Sequence, residues 1–257
     1  MTKAKQQHDN ILSVRNLHKS FGGIKAVNNC HFTVRRNSIT GLIGPNGAGK
    51  TTAFNLITGL LKSDEGQVIF DNQDITKWPT YKRARFGLTR TFQAIRIFPE
   101  LTPIENIRVT LKDNKQKIHH IFLDQKKLQK RLHEEAMELL KAVGLEKVAK
   151  LKAGELSYGQ QKLLEILRAI AMDPKMILLD EPAAGVNPTM LKIIIDLIYK
   201  LQESGKTVLV IEHDMGFIMN LCEKIVVMDY GKELAMGPPK EIQKNPDVLE
   251  AYLGRSE

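Results

Sequence analysis

Gly44-Pro-Asn-Gly-Ala-Gly-Lys-Thr-Thr52 determines the predicted fold of this chain more than any other segment does. Its first eight residues fit the pattern G-x-x-x-x-G-K-[ST], which forms a loop between a strand and a helix. The run Ile39 to Ile43 before it favours a strand, and Lys50 to Leu61 after it favours a helix. The match therefore predicts a phosphate-binding loop, here called the phosphate loop, within an α/β core.

The phosphate loop contains the residue types that bind nucleotide phosphates. Its glycines let backbone N–H groups turn toward phosphate oxygens, and the positive end of the following helix attracts anions. We expect Lys50 to reach the β and γ phosphates and the Thr51 hydroxyl to bind Mg²⁺. An accidental glycine turn is the alternative, and the flanking strand and helix patterns disfavour it. The expected nucleotide-binding residues here are Gly44, Pro45, Asn46, Gly47, Ala48, Gly49, Lys50, Thr51 and Thr52.

A second motif, Met176-Ile-Leu-Leu-Asp-Glu181, is an apolar strand that ends in two carboxylates. Asp180 can hold the Mg²⁺ shell, and Glu181 can orient and polarise the attacking water. Alone, such a run is usually only a strand that reaches solvent, but a preceding phosphate loop favours the catalytic interpretation. Together the two motifs predict binding and hydrolysis of Mg-ATP.

The segment Leu156-Ser-Tyr-Gly-Gln160, followed by an amphipathic run, resembles the signature motif of the ATP-binding cassette (ABC) family. Other motifs of that family occur in the expected order over about residues 11–254. In this resemblance Phe21 is a candidate for stacking on adenine, Gln93 is the Q-loop glutamine and His213 is the switch histidine.

The resemblance also implies a head-to-tail dimer, because in this family the signature of one subunit covers the ATP bound by the other. Ser157, Gly159 and Gln160 would then hold the γ-phosphate of the opposite nucleotide, at a helix start with its hydroxyl, free amides and dipole. His213 would contact the γ-phosphate and help to hold the water, and Gln93 would reach Mg²⁺ or the water. The implied catalytic set is Glu181, His213 and Gln93, and the implied metal set is Thr51, Gln93 and Asp180.

Each of these residues has a structural alternative when it is considered alone. Ser157 would be a helix N-cap, His213 a strand-end histidine and Gln93 a solvated loop residue. A core position suits Phe21 as well as adenine stacking does. Asn187 stands where many family members carry Asp, so we expect hydrolysis to survive while signalling between the two sites can differ.

The order of apolar and polar segments predicts how the chain is organised. Val14, Phe32 and Val34 lie in strand-favouring segments, and helices alternate with strands after about residue 160, which favours parallel strands with crossover helices. Together with the resemblance, this order implies one ABC ATPase domain over residues 1–257, with an α/β P-loop NTPase core that contains a parallel sheet. An N-terminal antiparallel β region, a helical signature subdomain inserted at about residues 103–160 and a C-terminal extension over about residues 231–257 complete the expected fold. The predicted C-terminal elements are Gln160 to Met172, Lys175 to Leu179, Thr189 to Leu201, Thr207 to Ile211, Met215 to Leu221 and Lys224 to Asp229.

Composition excludes some classes of protein and leaves others open. The apolar runs are too short for a membrane-spanning helix, and the first ten residues lack the features of a secretory signal. Cys30 and Cys222 are too few for a disulfide framework, so we expect reduced, buried thiols. The net charge of +9 suits nucleotide phosphate, nucleic acid or an anionic membrane surface. We interpret the basic stretch Lys112 to Arg131, near His119, His120 and His133, as a solvated face rather than a metal site.

Four segments resemble one group within the ABC family, namely Arg90 to Phe98, Ala183 to Pro188, Ile211 to Met215 and Glu250 to Gly254. By this resemblance the sequence is most similar to ATPases that import branched-chain amino acids, and lipopolysaccharide-exporting and urea-importing ATPases look similar. This likeness implies membrane permease subunits and a second ABC ATPase as partners, with a different ATPase preferred, and a periplasmic or extracellular solute-binding protein as an indirect one. It implies a peripheral position on the cytoplasmic side of the plasma membrane and no nucleic acid. An ABC ATPase of DNA repair or translation would need a coiled-coil insertion or two cassettes, and a kinase would not need the signature or His213.

Overall fold

A computed structural model describes residues 9–115 and 125–253 of the chain. The strands in these ranges are β1 Asn10–Phe21, β2 Ile24–Arg35, β3 Ile39–Ile43, β4 Glu65–Phe70, β5 Gln73–Asp74, β6 Leu88–Arg90, β7 Met176–Asp180, β8 Thr207–Ile211, β9 Lys224–Asp229 and β10 Lys232–Gly237. The helices are α1 Lys50–Thr58, α2 Thr80–Arg85, α3 Pro103–Lys115, α4 Gln125–Ala142, α5 Tyr158–Ala171, α6 Pro188–Glu203, α7 Met215–Leu221, α8 Pro239–Ile242 and α9 Pro246–Leu253, with 3-10 turns at Glu146–Val148 and Ala153–Glu155.

The N-terminal strands form an antiparallel sheet, as the sequence predicts. Its order is β2-β1-β4-β5, and Val14 of β1 pairs with Phe32 of β2 and with Val68 of β4. These three side chains are buried, because alternate residues of each strand point to the core face. The sheet covers one side of the core that holds the phosphate loop.

The core sheet has the order β10-β9-β3-β8-β7-β6, and all its pairs are parallel except β9 with β10. Every residue of β3, β7 and β8 is buried, which is typical of parallel strands that are covered on both faces. The phosphate loop follows β3, and the carboxylates follow β7. Both therefore lie at the carboxyl edge of one sheet, where open α/β folds bind ligands.

Several elements differ from the expectation, including the helix Pro188–Glu203, predicted as Thr189 to Leu201, and the strand Met176–Asp180, predicted as Lys175 to Leu179. The helix after the phosphate loop ends at Thr58 rather than at Leu61, because Gly59 adopts a left-handed conformation with φ of 78° and its N–H bonds the carbonyl of Leu56. The signature helix α5 begins at Tyr158, ahead of the predicted Gln160. The strands β6 and β10 are not indicated by the sequence pattern.

The segment after β9, where a C-terminal extension is expected, contains a strand and the short helices α8 and α9. Tyr230 and Gly231 have φ values of 43° and 76°, which form a tight turn that reverses the chain. As a result Lys232 pairs with Asp229, and β10 becomes the antiparallel edge of the core sheet. The helical pieces α8 and α9 follow.

The helices α3, α4 and α5, which lie between β6 and β7 in the sequence, pack against one another. Leu132, Ala136 and Leu140 recur at intervals of four residues on α4 and are buried, as expected of an amphipathic helix. Lys126 to Arg131 lies mostly exposed, and so does His133, which agrees with a solvated face. His119 and His120 lie outside the described residues.

Both cysteines are buried and free, as the sequence predicts. Burial raises the pKa of the Cys30 and Cys222 thiols to about 12, so both are protonated at neutral pH. In residues 9–115 and 125–253, no helix has the length and apolar character that a bilayer span requires.

Candidate functional site

The phosphate loop is constrained by close backbone contacts at two of its glycines. Gly44 has φ of 150°, and a Cβ atom there would lie 2.1 Å from the Met228 carbonyl oxygen. Gly49 has φ of 93°, and its Cβ would lie 2.3 Å from the carbonyl oxygen of Ala26. Any side chain at these positions would collide with backbone, which explains why the loop needs glycine there.

The side chain of Lys50 folds back onto the backbone at the start of the phosphate loop. Its Nζ donates hydrogen bonds to the carbonyls of Gly44 and Pro45, at 2.7 and 2.9 Å. Burial lowers the pKa of Lys50, and the nearby charge of Glu181 opposes that shift. The start of α1 has no side-chain cap, so its first amides are available to an anion beside the ammonium group.

A cavity of about 320 Å³ lies beside the loop and brings the predicted metal set together. Thr51 comes from α1, Gln93 from the segment after β6, and Asp180 from the end of β7. A hydroxyl, an amide oxygen and a carboxylate are hard oxygen ligands, and Mg²⁺ bound with nucleotide needs only one or two protein carboxylates. The residues therefore fit this ion.

Asp180 is paired with a buried arginine. Its Oδ2 lies 2.7 Å from Nη2 of Arg90, and their side chains are 4% and 7% exposed. Arg90 also donates from Nη1 to Oδ1 of Asn55 at 2.7 Å. Burial raises the pKa of Asp180, and the charge of Arg90 and its hydrogen bond oppose that effect. Arg90 thus favours the ionised carboxylate that a metal would need.

The three predicted catalytic side chains converge. Oε2 of Glu181 accepts a hydrogen bond from Nε2 of Gln93 at 3.2 Å, and its Oε1 lies 3.9 Å from Nδ1 of His213. Glu181 has φ of 48°, a conformation that costs a non-glycine residue roughly 1–3 kcal/mol. The backbone N–H of Glu181 donates to the Ile211 carbonyl at 3.0 Å, which anchors this strained residue to β8.

The signature segment forms the start of α5. Oγ of Ser157 accepts from the N–H of Gln160 at 3.4 Å, and the N–H of Ser157 donates to Oε1 of Gln160 at 3.0 Å. This reciprocal capping box agrees with the N-cap alternative for Ser157. A Cβ atom on Gly159 would lie 3.0 Å from Cγ of Met190, so the helix start packs closely on α6.

Phe21 lies at the end of β1 with its side chain 45% exposed. Nζ of Lys19 lies 5.5 Å from the centre of its ring. The exposure argues against the core alternative, and leaves the ring face accessible to a stacking partner.

Comparison with known proteins decides the family. A model described as ABC transporter matches residues 27–184, and one described as branched-chain amino acid ATP-binding cassette transporter matches residues 232–257. The high-affinity branched-chain amino acid transport ATP-binding protein BraF of Pseudomonas aeruginosa is 42% identical, over 96% of this chain and 98% of its own length.

The chain belongs to the ABC transporter family. A solved ATP-binding cassette of an ABC transporter in its ADP conformation aligns with a TM-score of 0.82 and 36% identity, over 96% of this chain and 99% of that one. A dimeric cassette in a post-hydrolysis state with ADP and Pi aligns with a TM-score of 0.78 and 28% identity, over 89% of this chain and 98% of that one. Since ATP hydrolysis is the function of this family, the ABC protein is an ATPase that binds nucleotide.

Sequence reasoning missed several buried charged residues around the site of this ABC ATPase. Glu212 is 1% exposed, and its carboxylate accepts from the backbone N–H of Ala183 at 2.7 Å and of His213 at 3.3 Å. Burial raises the pKa of Glu212 despite these bonds. The position of Glu212 next to His213, the predicted switch histidine, was the signal that could have identified it as part of the site. Arg90, Lys162 and Glu165 are buried as well, although their sequence context gives no sign of it.

Asn187 has a local role that explains its residue type. Its Oδ1 accepts a hydrogen bond from the N–H of Met190 at 2.9 Å and so caps α6. Asn and Asp cap helices about equally well, so the departure from Asp keeps this bond.

Proposed function

We propose that this ABC ATPase binds Mg-ATP in the phosphate loop and hydrolyses it with Glu181, Gln93 and His213. The observation that carries the proposal is the convergence of Gln93 and His213 on the two oxygens of Glu181, at the sheet edge that also carries the phosphate loop. Lys50 would exchange its loop carbonyls for phosphate oxygens, since both are acceptors for the same ammonium group. Phe21 would stack on the adenine.

Mg²⁺ would be held by Thr51, Asp180 and Gln93, and would neutralise charge that develops on the phosphates. Asp180 supplies the carboxylate, and the charge of Arg90 favours its ionised form against the effect of burial, which raises the pKa. The hydroxyl of Thr51 and the amide oxygen of Gln93 supply neutral oxygens from the other walls of the cavity. Gln93 then has two tasks, because its amide nitrogen bonds Glu181 while its oxygen is free to turn toward the metal.

Glu181 would hold and polarise the water that attacks the γ-phosphate. Its Oε2 is fixed by Gln93, so Oε1 is the oxygen available to the water. His213 lies 3.9 Å from that oxygen and is 65% exposed, which lets its ring turn between Glu181 and a γ-phosphate.

Two cassettes would enclose two nucleotides head to tail. The helix start with Ser157, Gly159 and Gln160 would cover the ATP of the opposite subunit, with its amides and dipole directed at the γ-phosphate. Support comes from the dimeric relative in its ADP and Pi state. We propose that the second subunit is a different ABC ATPase rather than another copy of this chain.

The transport task we propose is uptake of branched-chain amino acids, with permease subunits in the membrane and a solute-binding protein outside it. The similarity to BraF over nearly the whole of both chains supports this substrate class, and so does the family model over residues 232–257. The chain would sit peripherally on the cytoplasmic face. Residues 103–160 would form the signature subdomain and residues 231–257 the C-terminal extension.

Copurification from gently solubilised native membranes tests the assembly. We expect two polytopic membrane proteins, a second cassette ATPase and a solute-binding protein to accompany the chain. Recovery of DNA or ribosomes in their place would contradict the transport proposal while leaving the ATPase untouched.

Uptake of labelled leucine, isoleucine and valine tests the substrate class. Cells that lack the chain should regain uptake with the wild type, and should fail to regain it with an equal amount of Glu181→Gln. If cells that lack the chain take up leucine normally but are impaired in urea uptake or in lipopolysaccharide export, the chain would serve that alternative transport system instead.

A further inference from the structure

The segment that carries Gln93 is bonded through its backbone to helix α5. Oε1 of Glu165 accepts hydrogen bonds from the N–H of Phe92 and of Arg96, both at 3.2 Å. These two residues flank Gln93 on either side, so a single carboxylate spans the segment. We call residues 92–96 the Gln93 loop.

Two more charged side chains of α5 bind the same loop. Nζ of Lys162 lies 3.4 Å from the Phe92 carbonyl and 3.4 Å from the Asp180 carbonyl. The guanidinium of Arg168 donates to the carbonyl of Arg96 and lies 4.7 Å from the ring centre of Phe98. Lys162, Glu165 and Arg168 follow one another at steps of three residues along the helix, so α5 holds both ends of the Gln93 loop.

Glu165 is a buried carboxylate beside the charges of Lys162 and Arg168. The residue is 4% exposed, and its Oε2 has no hydrogen-bond partner among them. Burial raises the pKa of its carboxyl group, and the charge of Lys162 opposes that shift. A charged group in this position is costly unless its hydrogen bonds matter, and the bonds it makes all go to the Gln93 loop.

We propose that Glu165 is a positioning residue that fastens the Gln93 loop to the signature helix α5, so that the two move as one unit. The proposal deepens, and rests on, the proposed roles of Gln93 and Ser157. Ser157 caps the first turn of the helix that Glu165 belongs to, and Gln93 bonds Glu181. Movement of α5 onto the nucleotide of the opposite subunit would therefore reposition Gln93 relative to Glu181 in its own site.

Thiol labelling of the loop provides a direct measurement. Ile95 is half-buried within the Gln93 loop, whereas Cys30 and Cys222 are buried with thiol pKa values of about 12. In an Ile95→Cys chain the labelling rate with a maleimide therefore reports the exposure of the loop. We expect Glu165→Met to raise that rate by about 10-fold, because the loop loses both hydrogen bonds that the carboxylate accepts. Glu138→Met, at an exposed position on α4, is the matched control and should leave the rate unchanged.

A double-mutant cycle on the full chain separates positioning from simple stabilisation. Glu165→Met, which has no acceptor oxygen, should lower kcat by about 10-fold in the otherwise wild-type chain, and should have no further effect once Gln93→Ala is present. Additive losses in the double variant, or an unchanged labelling rate, would overturn the proposal. An unaltered kcat in Gln93→Ala alone would instead overturn the proposed role of Gln93.

Folding is checked by thermal melting of each variant. If Glu165→Met does not fold, Glu165→Asp retains the charge beside Lys162 but shortens the reach to the two N–H groups. It should then show raised labelling with a near-normal melting temperature. Normal labelling in that variant would contradict the proposal.

Discussion

Nε2 of Gln93 lies 3.2 Å from Oε2 of Glu181 and donates a hydrogen bond to it. The two residues follow neighbouring parallel strands, β6 and β7, which end at the same edge of the core sheet. The orientation of the proposed catalytic carboxylate is therefore set by a residue of another segment. Changes at Glu181 should act on chemistry rather than on nucleotide affinity.

Glu181→Gln removes the charge that polarises the water while keeping the size of the side chain. We expect ATP binding to persist and kcat to fall by roughly 10²- to 10⁴-fold, with a nucleotide-bound dimer accumulating. Steady-state hydrolysis, equilibrium binding and size-exclusion chromatography measure the three effects. Glu203→Gln, an exposed carboxylate at the end of α6, is the control. Normal turnover in Glu181→Gln would remove this residue from catalysis.

Ser157→Arg tests whether the signature acts on the opposite subunit. In a mixed dimer with one variant chain, we expect the site whose ATP faces the variant signature to stop hydrolysing. The change also removes the N-cap, so Ser157→Ala is the control, with a loss of about 1 kcal/mol in the free energy of unfolding. A mixed dimer with a full rate would contradict the head-to-tail arrangement.

Arg83→Met should destabilise the helix that follows the phosphate loop. The Arg83 guanidinium is buried, and its Nη1 donates to the carbonyls of Leu56 and Ile57 at 2.7 and 2.6 Å. Loss of these bonds leaves carbonyls at the end of α1 without partners, so we expect about 2–4 kcal/mol lower stability in urea denaturation. Arg85→Met, in the same helix α2 as Arg83, provides the comparison. An equal loss of stability in that variant would argue against the role of Arg83 in capping α1.

Asp71→Asn should show a pH-dependent loss of stability. Hydrogen bonds with Lys175 and Arg36 lower the pKa of Asp71 below 3.8, so the ion pairs stabilise the fold above that pH. The free energy of unfolding at pH 7 should fall by about 1 kcal/mol, because these side chains are partly exposed. As the pH falls through the lowered pKa, the wild type loses this contribution and the two proteins should converge. Asp196→Asn, on the exposed side of α6, is the control in chemical denaturation.

Interior elements were predictable from sequence because their residue types suffice to define them. The strand Thr207–Ile211 and the helix Met215–Leu221 have the predicted bounds, since apolar runs and the Asp214 cap mark their ends. The strands β6 and β10 lie at the two edges of the core sheet. Their sequences, Leu-Thr-Arg and Lys-Glu-Leu-Ala-Met-Gly, contain polar residues and pair only because a neighbouring strand is present.

The residues of the site also fall into those that a local sequence pattern indicates and those that it does not. The sequence offers Lys50 and Thr51 as candidates through the spacing of the phosphate loop, and Asp180 through its position at the end of an apolar strand. Arg90 and Glu165 were not such candidates, since the burial of a charged side chain depends on partners far away in sequence. Asp180 lies 90 residues from Arg90, a separation that a local pattern does not reveal.

The close approach of Gly44 and Gly49 to the carbonyl oxygens of Met228 and Ala26 has an evolutionary consequence. Those contacts involve main-chain atoms, which every amino acid presents, so they persist whatever side chains stand at positions 26 and 228. A side chain at either glycine would meet the same backbone in each case. Replacements at positions 44 and 49 should therefore be nearly absent among relatives of this chain.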